Sequence, residues 1–413
     1  MSRRLLCWIS AVGVFFSLSL ALAFPSGYSV GPVILLIGSL LTVVLLGQGH
    51  MRDVPAGLWA SAGLFLLAAL VSDVVPSGSF READGPSRFM LAAMSMVVIF
   101  VGRPSQQFIW VGAVSGAMTM FVLALIERST GVGRVGLGNN PIQTGGIATF
   151  TAIACLGTMV FYLQNFTGRV RVLGVSFGLL GVLMGLTVSG MTGSRGSWLG
   201  FAFGIGGFMY ALYVGRLLTR RTTFLLLMAV VVAMSFVVVT SDRVEVGVTE
   251  FFAYFDGTKA TSVGYRLELW WASVFQFAEA PIIGVGQNGY MESKAILVRD
   301  AGFNPGIAQF GHAHNHFMDT LAKRGLLGIL ALISSLVVIV FYGRRAFFEG
   351  NREEVALYGA LIGLVFALIG CMLTQGFLAH NSGSTVFYFW TLAVLALLTI
   401  HANKPPAHPP AAS

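Results

Sequence analysis

The side chains best suited to chemistry gather in one stretch, Gly311 to Gly328, GHAHNHFMDTLAKRGLLG, where a long polar interval gives way to a strongly apolar run. It carries three of the seven histidines, His312, His314 and His316. A free imidazole titrates near pH ~6.5, so His314 is the candidate acid/base, able to take a proton from a hydroxyl as a new bond forms. The three rings alternate, and an extended segment would put them on one face, as metal ligands stand. No carboxylate lies within the triplet, so the reading taken here is that no metal is held. A histidine cluster with no role is the bland alternative.

The second set is arginine. Arg195 sits among small residues in Gly190–Ser197, GMTGSRGS, a very short turn between apolar runs. A bulky anionic group could approach both its guanidinium and the local backbone. Guanidinium offers phosphate a planar fork of donors and stays charged at any working pH. Its alternative is a snorkelling arginine that anchors a helix end. Arg266 opens a helical segment and sits off its apolar stripe, where it could face a ligand. Arg88 and Arg134 are weaker candidates, and Arg128 is expected to pair with Glu127.

What positions these residues is a membrane scaffold. The chain has 413 residues, 56% hydrophobic and 10% charged, with a mean hydropathy of +0.81; a soluble domain carries about 25% charged residues. Apolar runs begin at Leu5, Val33, Gly57, Phe89, Phe108, Gln143, Leu173, Ser197 and Thr223, then, after the polar interval, at Leu326, Val355 and Thr385. About twelve spans result, in an all-α polytopic fold. The runs at Val33 and Phe89 are short, and either flanking residues extend them or they are re-entrant. Ala21-Leu22-Ala23 fits a signal-peptide cleavage pattern; with so many spans following, a retained first helix is expected.

Arginine and lysine set the topology. With the N-terminus inside, thirteen of them fall in inner segments, including Arg352 and Lys404, against five in short outer loops, a positive-inside bias. Both termini are then cytoplasmic and the interval 241–325 is outside. The expected division is spans 1–9 in 1–240, a loop subdomain in 241–325 with the catalytic histidine, spans 10–12 in 326–400, and a disordered cytoplasmic tail in 401–413. Within the loop, Ser262–Ala278 has helical spacing with Leu267, Trp270, Trp271, Val274 and Phe275 on one apolar stripe, ended by Pro281; lying in the membrane interface is its alternative reading. Gly284–Gly289 reads as a tight turn with exposed amides, and Met291–Val298 as a second short helix. Phe317–Arg324 reads as a helix running straight into the span at Leu326. Gly325 and Gly328 read as small residues that let helices pack closely.

Several function classes fall away. The net charge of +8 is arginine at segment ends, which reports topology rather than nucleic acid. Cys7, Cys155 and Cys371 lie far apart in apolar runs and suggest no disulfide framework. No phosphate-binding loop of the strand–Gly-rich–helix kind is present, so no nucleotide cofactor is expected. The spans are almost free of acidic residues and the charges collect at the faces, which favours surface chemistry over transport.

His314-Asn315, nine residues, then Gly325-Leu326-Leu327-Gly328 resembles the histidine motif of bacterial O-antigen ligases, H-[N/S/Q]-x9-G-x-x-[G/T/Y]. Thr192–Gly196 and Arg266 with Trp270 resemble the family's arginine-bearing segments, and the span layout with its long outer loop matches over nearly the whole chain. The resemblance implies a metal-independent, inverting glycosyltransferase without cofactor. It would move a glycan from undecaprenyl pyrophosphate to the lipid A–core oligosaccharide on the periplasmic face of the inner membrane. Carried over, His314 would activate the acceptor hydroxyl, with His316 a second candidate for that role. Arg195 and Arg266 would hold the pyrophosphate, with Arg88, Asn315 and His316 as further substrate contacts. An O-antigen polymerase, a protein oligosaccharyltransferase and a lipid-linked glycan transporter are the competing readings.

Overall fold

The structure, a computed structural model, describes residues 3–239, 242–350 and 354–402; for 229–230, 232–239 and 242–244 it describes the backbone alone. Arg352, Lys404, and the expected tail beyond residue 402 lie outside the described residues. Every regular element described is helical, as apolar runs in lipid require, because a helix satisfies its backbone polar groups internally.

The helices are α1 (Arg3–Ser19), α2 (Val30–Leu46), α3 (Ala56–Ala69), α4 (Asp84–Gly102), α5 (Gln107–Ser129), α6 (Pro141–Asn165), α7 (Gly168–Met191), α8 (Arg195–Val214), α9 (Arg220–Val239), α10 (Asp242–Phe255), α11 (Ser262–Glu279), α12 (Gly286–Asp300), α13 (His316–Glu349), α14 (Val355–Met372) and α15 (Asn381–Ala402). Among the described residues, ten helical stretches are long and apolar enough to cross a membrane, and the chain is a multi-pass membrane protein. The remaining predicted spans correspond to α1, of 17 residues, and α9, of 20. The two short runs are completed by flanking turns: Gly27–Ser29 precedes α2, and Phe80–Ala83 precedes α4.

The bundle is built around α14 and α15, buried along almost their whole length, while α2 and α7 keep mostly exposed faces. The close fit of α8 on α14 comes from glycine. A Cβ on Gly370 would lie 2.7 Å from the Leu199 carbonyl oxygen, and one on Gly204 3.0 Å from that of Gly363. Such backbone approach is how helices associate where lipid gives no hydrophobic drive, and it sets Arg195, the first residue of α8, against the end of α14.

In the loop subdomain the packed face of α11 is not the predicted apolar stripe. Gly264, Glu268, Leu269, Ala272, Ser273 and Gln276 are buried, whereas Trp271, Val274 and Phe275 are exposed. The reason is pairing. Glu268 accepts from Tyr254, from the Asn304 amide and from Lys259, and the Gln276 amide donates to the Tyr290 carbonyl, so polar groups can be buried at little cost. The apolar stripe faces outward, as a helix at a membrane interface presents its aromatics.

Two further expectations are corrected. The helix from His316 does not run straight into the span: it breaks at Gly325 (φ 57, ψ −152). Nor are the amides of Gly284, Val285 and Gln287 free in that turn. Segment 281–287 docks on the break, with Leu326 and Leu327 donating to the carbonyls of Pro281 and Ile282 at 2.9 and 3.0 Å. In return the Val285 amide donates to Ala322 at 2.9 Å and the Gln287 amide to Asp73 at 3.0 Å. Gly284 (φ 72) is needed there, since a Cβ would sit 2.2 Å from the Lys323 carbonyl carbon. Breaking a helix leaves amides without partners; the docked segment supplies them.

Candidate active site

The histidine stretch is held by buried charge. Asn315 caps α13, its side-chain oxygen accepting from the Phe317 and Met318 amides, and Asp319 lies one turn on. The Asp319 carboxylate accepts from the Ala313 amide at 3.0 Å and from Lys323 at 2.9 Å. The same ammonium reaches the Gly311 carbonyl at 2.9 Å. Lys294, on α12, donates to the Phe310 carbonyl, and both ammonium groups lie over the Tyr290 ring, at 4.8 and 4.7 Å from its centroid. Burial pushes the Lys294 pKa down to about 8, with the Lys323 charge acting the same way. Finally, the Trp270 indole N–H donates to the Ala313 carbonyl at 3.1 Å. Both backbone groups of Ala313 are therefore fixed, and the next residue is His314.

His314 takes a left-handed backbone conformation, φ 52, uncommon for a residue with a side chain and costly unless the surroundings impose it. Its ring stands edge-on to His312, centroids 4.2 Å apart, and to Phe310 at 5.3 Å. Its Nδ1 is buried with no hydrogen-bond partner among the described residues. Burial pushes its pKa down to about 4, and the nearby charges of His312 and Arg266 push the same way, against Gln375 beside the ring. At neutral pH it is an uncharged imidazole able to accept a proton.

Arg266, on α11, is near enough for its charge to act on His314. Burial lowers its pKa, and so does the charge of Arg195, partly offset by Glu250. Arg195, at the start of α8, reaches under α10: a Cβ on Gly247 would lie 2.9 Å from its Nη1. Three elements far apart in sequence thus converge, bringing His314, Arg266 and Arg195 together. The other predicted arginines are elsewhere. Arg88 grips Asp84 (2.8 Å) and, on α15, Thr385 and the Asn381 carbonyl. Arg134 donates to the Thr192 carbonyl at 2.7 Å, tying the 130s loop to the turn that carries Arg195. Arg128 does not pair with Glu127: it donates to the carbonyls of Val132 and Gly133, while Glu127 accepts from the Gly136 and Leu137 amides.

Asn315 is engaged as the cap. His316 is buried, and as the first residue of α13 it lines a separate cavity with Arg324 and Arg81. The alternating histidines therefore do not share one face. Among the described residues no group of three or more His, Cys, Asp or Glu side chains is placed to hold a metal.

Sequence reasoning missed Gln375 and His380, which contact one another at 3.4 Å in the connection after α14 and border the histidines. It also missed Asp73, whose carboxylate takes the Arg324 Nε at 2.6 Å. An acidic residue inside an apolar run was the available signal for Asp73; for Gln375 there was none.

Against known proteins, residues 181–333 match the family model described as O-antigen ligase. The chain is also 26% identical over 391 residues to an uncharacterized protein of Haemophilus influenzae, covering 92% of this chain and 94% of that one. The matched segment runs from the middle of α7, through the Arg195 turn and the loop subdomain, past the break in α13. The matched segment, which carries Arg195, Arg266 and His314, is similar to the O-antigen ligase family.

Proposed function

We propose that this protein transfers an O-antigen glycan from undecaprenyl pyrophosphate to the lipid A–core oligosaccharide, on the periplasmic face of the bacterial inner membrane. The observation that carries the proposal is the buried His314 Nδ1, without a partner among the described residues, within reach of the Arg266 charge, which in turn feels that of Arg195. An acceptor hydroxyl attacks the anomeric carbon of the donor and gives its proton to His314. The carbon–oxygen bond to the pyrophosphate breaks, its electron pair leaves on the phosphate oxygen, and Arg195 and Arg266 meet that charge. Attack opposite the leaving group inverts the anomeric centre. Fixed donors placed where charge develops are worth several kcal/mol in a site that excludes water, roughly 3–4 kcal/mol for one oxyanion donor. No nucleotide or metal enters these steps.

The arrangement also couples base strength to donor binding. Burial, then the charges of His312 and Arg266, push the His314 pKa down to about 4. A bound diphosphate offsets the Arg266 charge and raises the imidazole pKa, so the base strengthens once the leaving group is in place. Supplying purified protein with both lipid-linked substrates tests the reading. A joined glycan–lipid A–core product supports it. Lengthened donor glycan makes the enzyme a polymerase, and movement of donor across a vesicle membrane without product makes it a transporter.

A further inference from the structure

A polar cavity, of about 230 Å³, opens at the junction of α3, α4, α13 and α15. Arg81, Glu82, Asp84, Thr320, His316 and Asn381 line it. Phe65 adds an aromatic surface. The cavity shares no lining residue with the Arg195–Arg266 pair, yet the segment His314–His316 reaches both.

The charges say what class of ligand fits. Three cationic side chains, Arg81, Lys323 and Arg324, face three anionic ones, Glu82, Asp84 and Asp319. Arg324 is neutralised by Asp73 at 2.6 Å, Lys323 by Asp319 at 2.9 Å, and Asp84 by Arg88 at 2.8 Å. With no surplus of positive charge, a phosphate would gain little here. What the cavity offers is a dense mixture of donors and acceptors, which is what a hydroxyl, itself both donor and acceptor, pairs with. His316 lines it with a side chain only 6% exposed. The volume lies below the roughly 300–1,000 Å³ of pockets for drug-sized ligands and suits a single sugar ring.

We propose that this cavity binds one neutral sugar ring of the acceptor, an inference that rests on the glycan-transfer reading. Inversion needs the acceptor hydroxyl to arrive on the side of the anomeric carbon away from the pyrophosphate. In the transfer reading, Arg195 and Arg266 take the leaving group. The cavity is lined by His316, two residues on from His314, so a ring seated there sits on the segment that carries the base. Arg88, which binds both Asp84 and the Asn381 carbonyl, then acts as a positioning residue for the cavity wall.

The test is a double variant, Arg81→Ala with Glu82→Gln. Among the described residues, neither side chain makes a hydrogen bond or ion pair, so the fold has little to lose. With purified full-length protein, KM for the lipid A–core acceptor should rise at least tenfold, while kcat and the donor KM stay within about twofold. A rise in donor KM instead would overturn the proposal and give the cavity to the donor glycan; unchanged constants would also overturn it. A second measurement separates this proposal from the transfer reading: calorimetric titration with core oligosaccharide freed of lipid A. Binding by wild type that falls at least tenfold in the variant supports the cavity even in a protein that makes no product. Equal binding by both proteins, or none by wild type, refutes it.

Discussion

Replacing Gly325 by alanine should unfasten the histidine stretch from its membrane helix. At φ 57, ψ −152 a residue with a side chain carries backbone strain of order 1–3 kcal/mol. The new Cβ would also lie 2.7 Å from the Gly284 nitrogen and from the carbonyl carbon and oxygen of Ile282, so the docked segment must retreat. Three hydrogen bonds go with it, Leu326 to Pro281, Leu327 to Ile282 and Val285 to Ala322, at about 1 kcal/mol each. The sum is about 4–6 kcal/mol, a large part of the roughly 5–15 kcal/mol that stabilises an ordinary fold. The first turns of α13 carry Asp319 and Lys323, which hold the carbonyl of Gly311 and the amide of Ala313, so His314 loses its placement as the break relaxes. Thermal unfolding in detergent and glycan transfer, measured on the same preparation, should both fall sharply. Gly328→Ala provides a comparison: its Cβ would lie 2.3 Å from the Arg324 Cβ and would push that side chain off Asp73. A Gly325→Ala protein with wild-type unfolding and wild-type turnover would refute the reasoning.

Other outcomes follow from the same geometry. Arg195→Lys keeps the charge but loses the planar fork, and should lower kcat/KM on the order of tenfold to a hundredfold; unimpaired turnover would remove bidentate phosphate binding from the account. Asp319→Asn leaves the buried Lys323 without its partner and should cost roughly 3–5 kcal/mol in denaturant unfolding, a loss well under about 1 kcal/mol contradicting it. His314 titrates near 4 when folded and near 6.5 when unfolded, so the unfolded chain takes up its proton first as pH falls. Its contribution is therefore complete above pH 6.5 and lost by about pH 4, and a pH series should show His314→Gln losing less stability across that window than wild type. The acid limb of kcat should lie at higher pH than that of kcat/KM, because bound diphosphate raises the base's pKa; coincident limbs would argue against the coupling.

The scaffold could be read from the chain because hydropathy alone dictates it: each predicted apolar run became a helix. The site was legible only in part. Arg195, Arg266 and His314 stood out as charge and titratable chemistry at segment ends, but nothing in their spacing says they meet, since tertiary packing of α8 on α14 and of α11 on α13 brings them together. Periodicity misjudged α11, because buried Glu268 and Gln276 read as solvent-facing until their partners are known. It also passed through Gly325 unbroken, since the residues on either side keep a helical pattern and the φ of one glycine leaves no mark on hydropathy. Arg88 was singled out as an outer arginine, and its grip on Asp84, one turn away on the same helix, was there to be read.

The most direct measurement is product formation by purified protein in chelator-containing buffer, with undecaprenyl pyrophosphate-linked glycan and lipid A–core, for wild type, His314→Ala and His316→Ala. Loss of a general base lowers the rate by about 10²–10⁴-fold. The account predicts joined product from wild type, a loss of that size in His314→Ala, and in His316→Ala a defect that added acceptor largely restores. Full activity in His314→Ala, or a rate loss confined to His316→Ala, would contradict it.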